Sequence, residues 1–117
     1  MRVGEISDRT GVSVRAIRYY ERSGLLRATR QPNGYREFDP SAVERVGAIR
    51  DLLEVGFTID EILSLSDCLH GLGDDSPCRM QTASLYRDRL RRIDQQVSTL
   101  QQLRQRVQER IQLLEPA

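Results

Sequence analysis

Apolar residues near the start of the chain recur at helical spacing and are interrupted by a glycine turn. Val3 to Thr10 is apolar-patterned but lacks a strong N-cap, Thr10-Gly11-Val12 forms a tight turn, and Ser13 offers an N-cap for a second helix. In that helix Arg15, Arg18, Tyr19 and Arg22 fall at i, i+3, i+4 and i+7 and share one face, while Ile17 and Tyr20 point away from it. Gly24 suits the left-handed position that follows a last turn. Two short helices joined by a glycine-containing turn read as a helix-turn-helix, whose second helix is built to enter a major groove. From Leu25 to Phe38 the pattern changes. Asn33-Gly34, inside Gln31-Pro32-Asn33-Gly34, is a strong local hairpin signal, and a hairpin directly behind a recognition helix is a wing.

Asp39-Pro40 supplies a cap and a first-turn proline for a third helix running to about Val55, with Gly56 closing it. Val43, Val46, Ile49, Leu52 and Leu53 give it one side to pack against the reading head. Thr58-Ile59-Asp60-Glu61 then has the form of a capping box, with Phe57 and Ile62 placed for a hydrophobic staple. His70 to Ser76, rich in glycine and aspartate, makes a linker, and Ser76-Pro77 restarts a helix. Along that last helix the apolar positions are 86, 90, 93, 97, 100, 107, 111 and 114, a heptad seam interrupted at Arg104 beside Leu103. A helix over 77–114 is about 57 Å long at about 1.5 Å per residue and cannot bury such a stripe alone. The pattern therefore divides the chain into a head over residues 1–70, a linker over 71–76 and a rod over 77–117. Folding of the rod back onto its own head is the competing arrangement, and it leaves most of the length unpacked.

Charge sharpens this picture. The whole chain is nearly neutral at +1, yet residues 9 to 36 carry arginine at 9, 15, 18, 22, 27, 30 and 36 against one acid, Glu21. Concentrated positive charge neutralises phosphates and gives a salt-sensitive, sequence-independent affinity for nucleic acid. A solvated basic surface is the bland alternative, and the ordered succession of helix, turn, helix and hairpin argues against it. Every basic residue is arginine and none is lysine. A GC-rich codon bias accounts for that, although guanidinium groups also pair bidentately with phosphate and guanine edges. No apolar run reaches membrane-spanning length, nothing after Met1-Arg2 resembles a signal core, and a cytoplasmic location with no membrane partner is expected. No nucleophile motif or glycine-rich phosphate loop is present, and histidines and paired acids are too few to compose a catalytic site, so no enzyme is expected.

These motifs together carry a resemblance. Val3-Gly4-Glu5-Ile6, Thr10-Gly11-Val12-Ser13, Ile17-Arg18-Tyr19-Tyr20-Glu21, Gly24-Leu25-Leu26, Asn33-Gly34-Tyr35-Arg36 and Gly56-Phe57-Thr58-Ile59-Asp60-Glu61-Ile62 follow one another as in the DNA-binding domain of the MerR family of bacterial transcription regulators. The chain resembles that family over residues 1 to about 65. Ala16 departs from it, standing where the family often has threonine.

The resemblance implies a mainly α fold: a winged helix-turn-helix DNA-binding domain with a small β-hairpin wing, then a long C-terminal coiled-coil dimerisation helix. It implies a homodimer paired antiparallel through residues 77–114, double-stranded promoter DNA carrying an inverted repeat, and RNA polymerase at the same promoter. Control by bending and untwisting an over-long promoter spacer is the mechanism it implies. Arg15 and Arg18 carry over as recognition-helix contacts, and Tyr19, Tyr20, Tyr35 and Arg36 as backbone or wing contacts. Tyr20, by its core-facing spacing, also has a packing role open to it. Arg30 lies on the wing arm beside them. Thr58 and Arg50 become candidates for a second wing at the phosphate backbone, with plain helix capping as the alternative.

The signal is the least determined part. Cys68 and Cys78 flank the linker ten positions apart, and Cys78 falls in the first turn of the long helix, where the dipole favours a thiolate. In metal-sensing relatives a cysteine near this point provides one ligand and a loop beyond the far end of the long helix provides others, but here the chain stops at Ala117. Cys68, His70 and Cys78 form a candidate metal set, a reversible disulfide is a second reading, and two inert small residues are a third. Drug-binding regulators of the family carry a further C-terminal domain; this chain reads as the short form, sensing something small at the linker, using a partner protein or acting without an effector. An architectural or recombination-accessory DNA binder is the alternative function, since excision factors share the winged head but tend to lack the long helix. A protein-interaction coiled coil with an incidental basic head is a third class, which failure to bind any inverted repeat would expose.

Overall fold

A computed structural model describes residues 1–69 and 77–115. Helix α1 (Val3–Thr10) starts from an extended Arg2 that makes no side-chain cap bond, in keeping with the weak start its sequence shows. Thr10 ends it locally: its hydroxyl donates to the Ile6 carbonyl at 2.8 Å and accepts from the Val12 amide at 3.1 Å. Helix α2 (Val14–Arg22) is capped by Ser13, whose hydroxyl accepts from the Ala16 amide at 3.1 Å. At its far end Gly24, with φ of +86°, turns the chain so that the Gly24 amide reaches the Glu21 carbonyl and the Leu25 amide reaches that of Tyr20. That paired closure needs a residue tolerant of positive φ, which is why glycine stands there.

The wing is short. Strands β1 (Thr29–Arg30) and β2 (Arg36–Glu37) pair antiparallel with Thr29 opposite Glu37 and Arg30 opposite Arg36. At the tip the Gly34 amide bonds the Gln31 carbonyl at 2.9 Å, the Tyr35 amide bonds Asn33 Oδ1 at 3.1 Å, and Gly34 takes φ of +84°. Both strands are exposed. The hairpin is therefore anchored at its feet, where Leu25, Leu26 and Phe38 are buried and Phe38 exchanges backbone bonds with Met1.

Helix α3 (Ala42–Glu54) begins two residues later than the proline cue suggests. Asp39 caps a preliminary turn, its Oδ1 accepting from the Ser41 amide at 2.9 Å and its carbonyl from the Ala42 amide at 2.9 Å, so Pro40 and Ser41 lead into the helix proper. The Asp39 carboxyl is held below its ordinary pKa by those Ser41 hydrogen bonds, amide first and hydroxyl second. Helix α4 (Ile59–Leu63) carries the capping box expected of it, with Thr58 and Glu61 bonding reciprocally, and Phe57 and Ile62 are both buried. A 3-10 turn over Ser66–Cys68 follows.

The core lies where α1, α2, α3 and α4 converge. Ile6, Ile17, Leu25, Val46, Ile49, Ile62 and Leu65 are completely buried, each worth about 1.5–3 kcal/mol of transfer free energy. Helix α5 (Pro77–Leu114) is different in kind, since none of its residues is buried. Contacts divide the chain into two units, Met1–Thr82 and Ala83–Ala117. A Cys68–Cys78 disulfide, with Cα atoms 5.2 Å apart, fixes the first turn of α5 beside the 3-10 turn within the first unit. His70 and the expected linker 71–76 lie outside the described residues.

Candidate nucleic-acid interface

Helix α2 shows solvent the face that its spacing predicts. Arg15, Arg18, Tyr19 and Arg22 are exposed, while Ile17 and Tyr20 are buried on the opposite side. Arg15, Arg18 and Arg22 make no ion pair among the described residues, and neither do Arg27 and Arg30 at the start of the wing. Their charges are left available to an external anion. Tyr19 is 48 % exposed and Tyr35 56 %, a degree of exposure that leaves both hydroxyls free to reach a phosphate.

Three of the candidate residues have partners or burial within the head. Tyr20 is only 5 % exposed and belongs to the core; burial, ahead of the opposing charge of Arg50, raises its hydroxyl pKa. Its position three residues from Ile17 turns both side chains inward together. Arg50 donates to the Thr10 carbonyl and pairs with Asp51 at 3.3 Å and Glu54 at 4.0 Å. It thereby satisfies a carbonyl left without a helical partner at the end of α1, while its side chain stays 40 % exposed. Thr58 is likewise occupied: its amide donates to Glu61 Oε1 at 3.1 Å and its hydroxyl accepts from the Glu61 amide at 3.2 Å. Thr58 and Glu61 thus close a reciprocal capping box at that helix end, and Thr58 itself is exposed.

Arg36 remains on the wing but is ion-paired to Glu21, the lone acid of the basic stretch. Glu21 is 16 % exposed, and its second carboxylate oxygen has no hydrogen-bond partner. This pair latches β2 to the recognition helix. A second latch joins the N-terminal arm to the wing, with the Arg2 guanidinium 4.2 Å from the centre of the Tyr35 ring. Arg2, Arg18, Glu21, Tyr35 and Arg36 together line an open cleft of about 390 Å³ between wing and helix. Periodicity could not find Arg2, which precedes the first helix. Glu21 was visible only as the one acid among seven arginines. Cys68 and Cys78 are bonded to each other, and no cluster of three metal-ligating side chains occurs among the described residues. The third member of the candidate metal set, His70, lies outside them.

Residues 1–66 match the model of the MerR HTH family regulatory protein, and residues 43–110 match the MerR, DNA binding model. The chain belongs to the MerR family. It is 39 % identical over 107 residues to the nodulation protein NolA of Bradyrhizobium sp. (strain NC92), covering 91 % of this chain but 41 % of that protein. With the HTH-type transcriptional regulator CueR of Yersinia pestis it shares 31 % identity over 108 residues, covering 92 % of this chain and 76 % of the relative. The crystal structure of HiNmlR, a MerR family regulator lacking the sensor domain and bound to promoter DNA, superposes with a TM-score of 0.61 at 21 % identity, covering 88 % of this chain and 76 % of that one. This MerR chain spans less than half the length of NolA. Both family models describe DNA-binding regulatory domains, and no helix among the described residues is long and apolar enough to cross a membrane.

Proposed function

We propose that this MerR regulator binds an inverted-repeat promoter site as a homodimer in the cytoplasm and switches transcription by distorting the DNA, with RNA polymerase engaged at the same promoter. One observation carries the dimer: α5 runs 38 residues with no buried side chain, while Leu90, Val97, Leu100, Val107 and Ile111 stay between 46 % and 65 % exposed at heptad spacing. Lone helices gain most of their stability from packing an apolar face, and a second α5 laid antiparallel along residues 77–114 would supply it. Two-fold symmetry in the protein then calls for two-fold symmetry in the operator. Residues 1–70 act as the reading head, 71–76 as linker and 77–117 as dimerisation element. Arg15 and Arg18 take the base-reading role, while Tyr19, Arg30, Tyr35 and Arg36 grip the backbone on both sides of the centre, as bending requires. The same helix weighs against the architectural or recombination-accessory reading, which has no need of a 38-residue rod.

Footprinting and gel shifts on the promoter beside the gene test this reading. Protection should be symmetric over both half-sites. Arg18→Ala should weaken specific binding by about ten- to a hundred-fold per head, the value of one lost bidentate base contact of about 1–3 kcal/mol, and leave the dimer intact. Undiminished affinity in Arg18→Ala, or binding to a single half-site only, would overturn it.

A further inference from the structure

The bond between Cys68 and Cys78 joins the 3-10 turn of the head to the second residue of α5. A regulator that works on DNA sits among reducing thiols, where protein disulfides are usually transient and serve catalysis or redox sensing. Both cysteines are part-exposed, so a small thiol can approach the bond. Cys78, in the first turn of a long helix, is the better leaving sulfur, because the helix dipole favours its thiolate.

One side chain links this bond to the DNA-reading surface. Arg45 donates through Nε to the Leu25 carbonyl at 2.5 Å, and through its other nitrogens to the Ser66 carbonyl at 2.7 Å and hydroxyl at 3.0 Å. Leu25 is where the recognition helix gives way to the wing, and Ser66 opens the turn that carries Cys68. Burial lowers the Arg45 pKa and the charge of Asp67 opposes that shift; a guanidinium so placed stays a cation. The Asp67 carbonyl oxygen lies 4.0 Å from Cys78 Sγ.

Resting on the operator-binding reading above, we propose that Cys68 and Cys78 form a reversible thiol–disulfide site whose state sets the geometry of the bound operator, with Arg45 carrying the change from the 3-10 turn to the foot of the wing. The co-reactant is a dithiol. Its thiolate attacks Cys68 Sγ, the S–S bond breaks and Cys78 leaves as thiolate. The second thiol of the reductant then resolves the mixed disulfide, so two electrons and two protons pass to the protein and the dithiol becomes a disulfide. A small-molecule disulfide reverses each step.

The test uses the full chain treated with diamide or with dithiothreitol, read by maleimide labelling and by footprinting with in vitro transcription. The oxidised protein should take no label and the reduced protein two, with transcript levels differing about five-fold or more between them, the lower range of an allosteric coupling. The double variant Cys68→Ser, Cys78→Ser should hold the reduced output and ignore both reagents. Arg45→Lys should keep the reversible bond and lose the transcriptional response. Labelling of both thiols after diamide, equal transcript from the two forms, a responsive double variant, or a full response in Arg45→Lys would each overturn the proposal. A protein that protects no inverted repeat in either state would instead remove the operator reading, and the label count separates the two failures.

Discussion

The two units of this molecule use the same apolar residue types and treat them in opposite ways. In the head, Ile6, Ile17, Ile49 and Ile62 come from four different helices and converge until none is exposed. In the rod, Leu90, Leu100 and Ile111 lie on one helix and remain 47 % to 65 % exposed. The difference is topological, because short helices joined by tight turns can face one another, whereas a single straight helix presents its stripe outward. Order in the head therefore comes from its own chain, and order in the rod comes, on the proposed assembly, from a second copy. The expected consequence is two separable stabilities within one polypeptide.

The largest effect should come from spoiling the rod alone. Leu90→Asp with Val97→Asp puts two unpaired carboxylates into the proposed seam, each costing several kcal/mol, at about 1.4 kcal/mol per factor of ten. Sedimentation equilibrium should then report the 13.4 kDa monomer, and operator affinity should fall about a hundred-fold or more, while the head keeps its unfolding midpoint. A dimer that survives both charges would break the comparison. The next largest effect belongs to the head: Ile17→Ala should cost about 2–5 kcal/mol through the cavity it leaves, a sizeable part of a typical total of about 5–15 kcal/mol. Denaturant unfolding measures that loss, and association through α5 should persist.

Much of this architecture could be read from local signals. Ser13 and Thr58 named their helix starts because a hydroxyl accepting an amide needs no distant partner. Asn33-Gly34 named its turn for the same reason. Of the candidate interface, the exposed face of α2 was legible because 3.6-residue periodicity separates Arg15, Arg18 and Tyr19 from Ile17. What local signals could not show was which charges are already spent. Arg50 reaches a carbonyl 40 residues away and Arg45 reaches carbonyls 20 and 21 residues away, and nothing in their neighbours along the chain foretells this. Pairing across such distances is a property of the fold, so a count of arginines overstates the charge available to DNA. The disulfide is an intermediate case: a spacing of ten made it one reading among three, and only the packing of α5's first turn beside Ser66–Cys68 selects it.

Glu21 gives a way to sharpen the contrast between spent and available charge. With Glu21 16 % exposed and Arg36 45 % exposed, the Arg36–Glu21 pair should contribute about 1 kcal/mol or less to holding the wing, after allowance for solvent screening. Glu21→Gln removes the competing carboxylate. Because Arg36 is proposed to reach the backbone in the wild-type complex, the slope of log K against log salt should stay as it is, while affinity at low salt changes less than about tenfold. A slope steeper by about 0.9 per head would mean that the ion pair keeps Arg36 off the phosphate in the wild-type complex.

The smallest expected effect lies at Asp39. Its carboxyl is held below the usual range by the Ser41 amide and hydroxyl, so the folded state binds that proton less readily than the unfolded chain does. The stabilisation this confers is complete above the unfolded-state value of about 3.9 and is lost as pH falls through the lower folded-state value. Asp39→Asn keeps an oxygen to accept from the Ser41 amide and abolishes the titration. Acid unfolding followed by circular dichroism should therefore show a slightly shallower decline below about pH 4 in the variant, with unchanged stability slope near neutrality. Because this carboxylate is fully exposed, the shift should be small beside that of Ile17→Ala, and an equal or greater one would mean that the lead-in turn to α3 holds the head together more than its buried core does.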